Sequence, residues 1–191
     1  MPFRFGTIYL DSCKASQAIA DHRAELCQAL DRIRDAAEWG VKLYCDADVL
    51  CPRIEAESDS IRQLHGLLEQ ASPGARFFLQ KKYAKALDGE TAAMITSAVA
   101  RIRQSLKSCA CESAEVEVQP AAVHGRPTEM VMNAAYLVAE GSLAKFQQAI
   151  AALQGEFAVH GFDHELTSPW PPHHFVSARQ EGIADAATPD Q

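Results

Sequence analysis

The sequence predicts an α+β fold in which a small sheet carries a long helical excursion between its first two sheet strands. Three observations lead there. Glu38-Trp-Gly-Val-Lys-Leu-Tyr-Cys45 alternates with the period of a half-buried strand, and Met130-Val-Met-Asn-Ala-Ala-Tyr-Leu-Val138 is apolar on both faces, as a central strand is. Between them, over residues 47–111, apolar side chains recur at helical spacing.

In chain order, Arg4-Phe-Gly-Thr-Ile-Tyr-Leu10 reads as a short strand. A helix should follow from Ser12, its N-cap, with Ile19, Leu26, Leu30 and Ile33 on one face. In the strand at 38–45, Trp39, Val41, Leu43 and Cys45 point one way and Glu38, Gly40, Lys42 and Tyr44 the other. Gly40 inside a strand marks a bulge or the close approach of another group. Leu50, Ile54, Ile61, Leu64 and Leu68 form the next stripe, ended by Ser72-Pro-Gly74. Pro73 opens a long helix whose Ile95, Val99, Ile102 and Leu106 repeat at four, three and four residues. These stripes are read as core faces, with self-association through 50–68 and 95–106 as the alternative.

Glu115-Val-Glu-Val-Gln119 alternates and should be a strand stopped by Pro120. After the strand at 130–138, Ser142 should cap a helix presenting Phe146, Ile150 and Leu153 and ending near Gly155. Residues 161–167 form the last strand, and from Ser177 the composition is that of a disordered tail. The order is βαβ-βαβ, a ferredoxin-like sheet with an enlarged multi-helix insertion in its first α element. The expected division is 1–36 as an N-terminal strand and helix, 37–176 as the ferredoxin-like domain, and 177–191 as tail.

Composition narrows the function. At 191 residues, 48% apolar and 23% charged, the chain is an ordinary globular protein large enough to bury a core. A net charge of −7 argues against nucleic acid or an anionic membrane as partner. No apolar run approaches the roughly 20 residues that span a bilayer, and Met-Pro-Phe-Arg-Phe-Gly is no signal peptide, which predicts a cytoplasmic protein. The six cysteines fit no zinc spacing and read as small core residues and free thiols.

Chemistry is hard to find. His160 and His164 have the spacing of a helical metal pair, but on a strand they stand about 13 Å apart at ~3.3 Å rise per residue. Glu38 and Lys42 share a strand face, a pattern more typical of a surface ion pair than of an acid and base. No nucleophile motif, P-loop or dinucleotide fingerprint is present. No catalytic residue, cofactor or metal is expected; the alternative is a metal protein or enzyme using the C-terminal histidines.

The most distinctive stretch is Leu166-Thr-Ser-Pro-Trp-Pro-Pro-His-His-Phe175. Pro169, Pro171 and Pro172 stiffen an extended segment from which Trp170 and Phe175 project, either pinning the chain end to its own domain or forming a rigid recognition surface. Its position after the last strand favours packing.

Together with Arg4-Phe-Gly-Thr7, Glu38-Trp-Gly-Val-Lys42 and Asn133-Ala-Ala-Tyr-Leu-Val138, that stretch resembles the gas vesicle GvpL/GvpF family over nearly the whole chain to Val176. The resemblance implies a non-catalytic assembly factor or minor shell component, residing in gas vesicles within the cytoplasm. It also implies contact with the very hydrophobic shell subunit and other vesicle proteins. It further implies two α+β domains, the C-terminal one ferredoxin-like, and identifies this chain as a short member lacking most of the N-terminal domain. Relatives read Thr-Gly-Pro-Trp-Pro-Pro-Tyr-Asn-Phe where this chain has Ser168 and His173-His174. The residues carrying the resemblance, and the candidate partner-binding set, are Arg4, Phe5, Gly6, Glu38, Trp39, Gly40, Lys42, Pro169, Trp170, Pro171, Pro172 and Phe175. Trp39, Trp170 and Phe175 are the candidate anchors; Trp39 and Trp170 are expected first of all to close the domain.

Overall fold

The computed structural model describes residues 8–176. Two short helices lead, α1 (Ser12–Asp21) and α2 (Arg23–Arg32), followed by strand β1 (Ala36–Cys45). Three helices come next, α3 (Ala47–Glu57), α4 (Asp59–Glu69) and α5 (Pro73–Lys107). The chain then forms β2 (Glu112–Glu115), the single turn α6 (Ala121–His124), β3 (Glu129–Ala139), α7 (Leu143–Phe157) and β4 (Phe162–Trp170). The strands form one sheet in the order β2-β3-β1-β4, with every neighbouring pair antiparallel. β1 and β3 are therefore central, as their apolar content requires.

One face of the sheet is covered by helices. Val41, Leu43 and Cys45 of β1 and Met132, Ala134, Tyr136 and Val138 of β3 meet Leu50 and Ile54 of α3, Ile102 and Leu106 of α5, and Phe146, Ile150 and Leu153 of α7. This is the main core, and the helical stripes are spent on it: Leu50, Ile61, Ile102 and Leu106 have no exposed surface. Four residues of the stripes at 50–68 and 95–106, Leu50, Ile61, Ile102 and Leu106, therefore lie in this core, while Leu67 beside them is exposed.

Several expected boundaries move. The helix starting at 12 breaks at His22 into α1 and α2, and Asp11, not Ser12, is the N-cap, accepting from the Lys14 amide at 2.8 Å. Neither helix buries a residue; Ile19 and Leu30 are exposed, so their spacing produces no packed stripe among the described residues. The strand expected at 115–119 is displaced to 112–115. Beyond it the Val116 amide still donates to the Asn133 carbonyl, and Asn133 donates to the Glu117 carbonyl, so 116–119 follows β3 without a continuous ladder. Ser142 precedes α7 but makes no capping bond, and α7 runs past Gly155 to Phe157. Of the cysteines only Cys45 is buried; Cys13, Cys27 and Cys111 are exposed. Residues 1–7 and 177–191, which include Arg4, Phe5, Gly6 and the predicted tail, lie outside the described residues. Among those described, no helix is long and apolar enough to cross a membrane.

Gly40 is required where β1 and β4 touch. The register between them slips between Glu38 and Gly40, and a Cβ at Gly40 would overlap the Thr167 hydroxyl, which itself lies 3.3 Å from the Gly40 carbonyl. Gly40→Ala should therefore destabilise by about 1–2 kcal/mol, the range for overpacking. Thr167→Ala in the same chain should recover most of that loss, as a denaturant double-mutant cycle would show.

Candidate functional site

The face of the sheet opposite the helices gathers Glu38, Lys42 and Phe175 of the identifying residues, whereas Trp39 faces the main core. β4 is an edge strand, so Pro169 can sit in it without removing a ladder bond. The strand extends through Trp170, further than 161–167, and Trp170 pairs with Glu38. Pro171 and Pro172 then turn the chain inward. The amides of Phe175 and Val176 both donate to the Pro172 carbonyl at 3.1 Å, closing a tight turn.

That turn folds back over the sheet. Phe175, 2% exposed, packs against Ala135 and Leu137 of β3, with Ile33, Ala36, Ala114 and Val116 around them, forming a second small core. The Arg32 guanidinium donates to the Phe175 carbonyl and lies 3.2 Å from a Glu112 carboxylate oxygen, so α2, β2 and the chain end are tied together. Glu38 is 5% exposed. It accepts from the His174 amide at 3.0 Å and meets the His174 ring Nδ1 at 2.6 Å. It is thus not the surface partner of Lys42. The sequence placed it on a strand face next to a lysine, but the returning chain covers it.

Lys42 has another partner. Its Nζ donates to Glu165 at 3.1 Å across the β1–β4 pair, and the Tyr44 hydroxyl donates to the same carboxylate at 3.2 Å. Arg126 stands over the Tyr44 ring, 4.0 Å from its centre, and bridges Glu165 and Asp163. Partial burial opposes the charge on Glu165, but the bonds from Lys42, Tyr44 and Arg126 outweigh it and hold the carboxyl below its usual range. Burial and the neighbouring Glu165 raise the Tyr44 phenol. This is a network of compensated charges. The sequence could not reveal it, since Glu165 and Arg126 are distant from Lys42 until the strand register is known.

The three candidate anchors separate sharply. Trp39 is 9% exposed within the main core and Phe175 is 2% exposed within the small one. Trp170 is 55% exposed, so it does not close the domain as expected. A ring flanked by three prolines on an edge strand has no neighbouring layer to enter. Of the three, only Trp170 is available to a partner as the chain stands.

The histidines do not assemble. His160 faces Glu57 at 3.6 Å, while His164 points inward on β4. Among the described residues no cluster of three His, Cys, Asp or Glu side chains could hold a metal. His164 is the anomaly: both ring nitrogens are buried without a partner, and burial lowers its pKa from the ordinary 6.5, the nearby Asp163 opposing only in part. As pH falls, the unfolded chain takes up this proton first. Its contribution to stability is therefore intact above about 6.5 and lost progressively toward the lower folded value, at no more than about 1.4 kcal/mol per pH unit. Melting temperature should fall between pH 7 and 5, and His164→Leu should reduce that fall.

The chain is 26% identical to gas vesicle protein L from Streptomyces sp. (strain CB03234), over 96% of this chain but only 64% of that protein. The crystal structure of the gas vesicle protein GvpF from Anabaena sp. PCC7120 superposes with a TM-score of 0.71 at 16% identity, covering 93% of this chain and 69% of that one. GvpF from Microcystis aeruginosa superposes at 0.61 with 15% identity, over 92% and 69%. At these identities the structures speak for the fold, an α+β domain with an antiparallel sheet. The model of the family described as gas vesicle synthesis protein GvpL/GvpF matches residues 1–177, and this chain belongs to that family.

Proposed function

We propose that the chain is a non-catalytic assembly factor or minor shell component of gas vesicles in the cytoplasm, binding the hydrophobic shell subunit and other vesicle proteins. The observation that carries the proposal is the match over residues 1–177, joined to a motif that holds one tryptophan out of the fold. The charged network further along the β1–β4 pair is internally compensated, which suits a contact surface better than a reaction centre. A net charge of −7 gives no general attraction to an apolar subunit, so the contact rests on packing, with Trp170 as its anchor.

The same reading takes the sheet as ferredoxin-like. The succession β1, helices, β2, β3, α7, β4 and the order β2-β3-β1-β4 support it, with α3, α4 and α5 as the enlarged first helical element. In that reading residues 37–176 are one domain, and α1 and α2 belong to the segment before it.

Deleting the gene in a vesicle-forming host should abolish or deform the vesicles, and re-expression of the chain should restore them. Normal vesicles in the deletion strain, with no co-purification of tagged protein and shell subunit, would refute the proposal.

A further inference from the structure

α5 is 35 residues long, about 52 Å at 1.5 Å per residue, yet its buried residues Ala98, Ile102 and Leu106 all lie in its last third. Its opening turns are exposed throughout residues 73–78; further along, the Tyr83 hydroxyl donates to Glu55 of α3 and its ring meets His65 of α4. Residues 73–87 hold four of the chain's 18 Lys and Arg, namely Arg76, Lys81, Lys82 and Lys85, and none of its 25 Asp and Glu. Among the described residues Arg76, Lys82 and Lys85 have no ion pair, and Lys81 rests over the Phe77 ring, 4.6 Å from its centre. In the same turns Phe77 and Phe78 are 58% and 74% exposed, and Leu67 at the end of α4 is 56% exposed.

Local physics disfavours this arrangement. Cations are unfavourable near the start of a helix, the first turn of α5 has no acidic residue, and two adjacent phenylalanines stand in water. Elsewhere the chain pairs its charges readily, as with Arg101 and Glu156 or Arg103 and Glu115. Phe78, Lys81, Lys82 and Lys85 fall at i, i+3, i+4 and i+7, so cations and an aromatic ring share one face.

We infer that the start of α5, with the end of α4, is a docking surface for an acidic amphipathic segment of a partner protein. The apolar side of such a segment covers Phe77 and Phe78 while its carboxylates meet Arg76, Lys81, Lys82 and Lys85. Charge selects this occupant. A second copy of the chain or an anionic membrane would bring a broad negative surface against a molecule of net charge −7, whereas a narrow segment meets only the basic stripe. The inference does not depend on Trp170 or on the shell subunit, and it stands or falls separately from the proposed function.

The test uses the full chain and two labelled synthetic peptides of about 20 residues, a helix of roughly 30 Å. Both carry the same Leu and Ile face; one has Glu on its polar face and the other Lys. Fluorescence anisotropy should show the Glu peptide binding at least tenfold more tightly than the Lys peptide, with affinity falling as salt rises. The triple variant K81E/K82E/K85E and the double variant F77A/F78A should each weaken binding at least tenfold. Both alter exposed positions, so their melting curves should match the parent. The inference is overturned if the two peptides bind alike, or if the triple variant binds the Glu peptide as the parent does. It is also overturned if this face instead mediates self-association in sedimentation or binding to phosphatidylserine vesicles without capturing the Glu peptide.

Discussion

Phe175→Ala should destabilise the chain by about 3 kcal/mol, the lower end for emptying a buried phenylalanine site. For a domain of this size that is a fall of about 10 °C in melting temperature. The ring is the centre of the small core on the open side of the sheet, and among the described residues Ala135 and Leu137 have no other aromatic cover there. The loss should spread along the turn. Without the ring, the Arg32 bond to the Phe175 carbonyl and the seat of His174 against Glu38 have nothing to hold them in place, which leaves a buried carboxylate short of partners. Trp170→Ala, five residues earlier in the same motif, should cost under about 1 kcal/mol, because more than half of that side chain is already in water. Urea denaturation of both variants checks the contrast.

Among the described glycines, Gly161→Ala should be the most damaging replacement, at about 3 kcal/mol. Gly161 has φ of 81° at the end of the 3-10 turn that follows α7, a conformation an L side chain rarely adopts. A Cβ there would stand 2.9 Å from the Asp46 carbonyl oxygen and 2.9 Å from Val49 Cβ. The Asp46 amide donates to the Gly161 carbonyl at 2.9 Å, so the clash would also part the end of β1 from the start of β4. Gly155→Ala provides the control. That glycine lies inside α7 with open space around its Cβ position, and the replacement should stabilise by up to about 1 kcal/mol through helix propensity. Opposite signs for one chemical change six residues apart should appear directly in thermal melts.

What could be read before the structure follows from the range of each interaction. Alternation in 38–45 and the doubly apolar run at 130–138 are local patterns set by burial on one or both faces, and they located β1 and β3 to within two residues. Pro73 marked the start of α5 for an equally local reason. β2 was misplaced because Glu115-Val-Glu-Val alternates cleanly, while the residues that bond, 112–115, are chosen by register against Leu137, Tyr136, Ala135 and Ala134. Of the stripe at 19–33, Ile19 and Leu30 meet no layer among the described residues, while Ile33 reaches the small core. The candidate site was the least legible part. Proline chemistry marked the stiff segment at 169–172, but which aromatic turns inward depends on where an edge strand leaves the sheet. Likewise, the partners of Glu38 and Lys42 lie more than a hundred residues away and exist only once the strands pair.

In the proposed function this motif divides its labour, with Phe175 holding the fold and Trp170 meeting the shell subunit. Capture of the shell subunit by tagged parent and by Trp170→Ala, with melting curves recorded on the same preparations, tests it most directly. Trp170→Ala should melt within about 3 °C of the parent and retain less than a tenth of the captured subunit. Undiminished capture by a stably folded Trp170→Ala, or a melting temperature as low as that of Phe175→Ala, would contradict it.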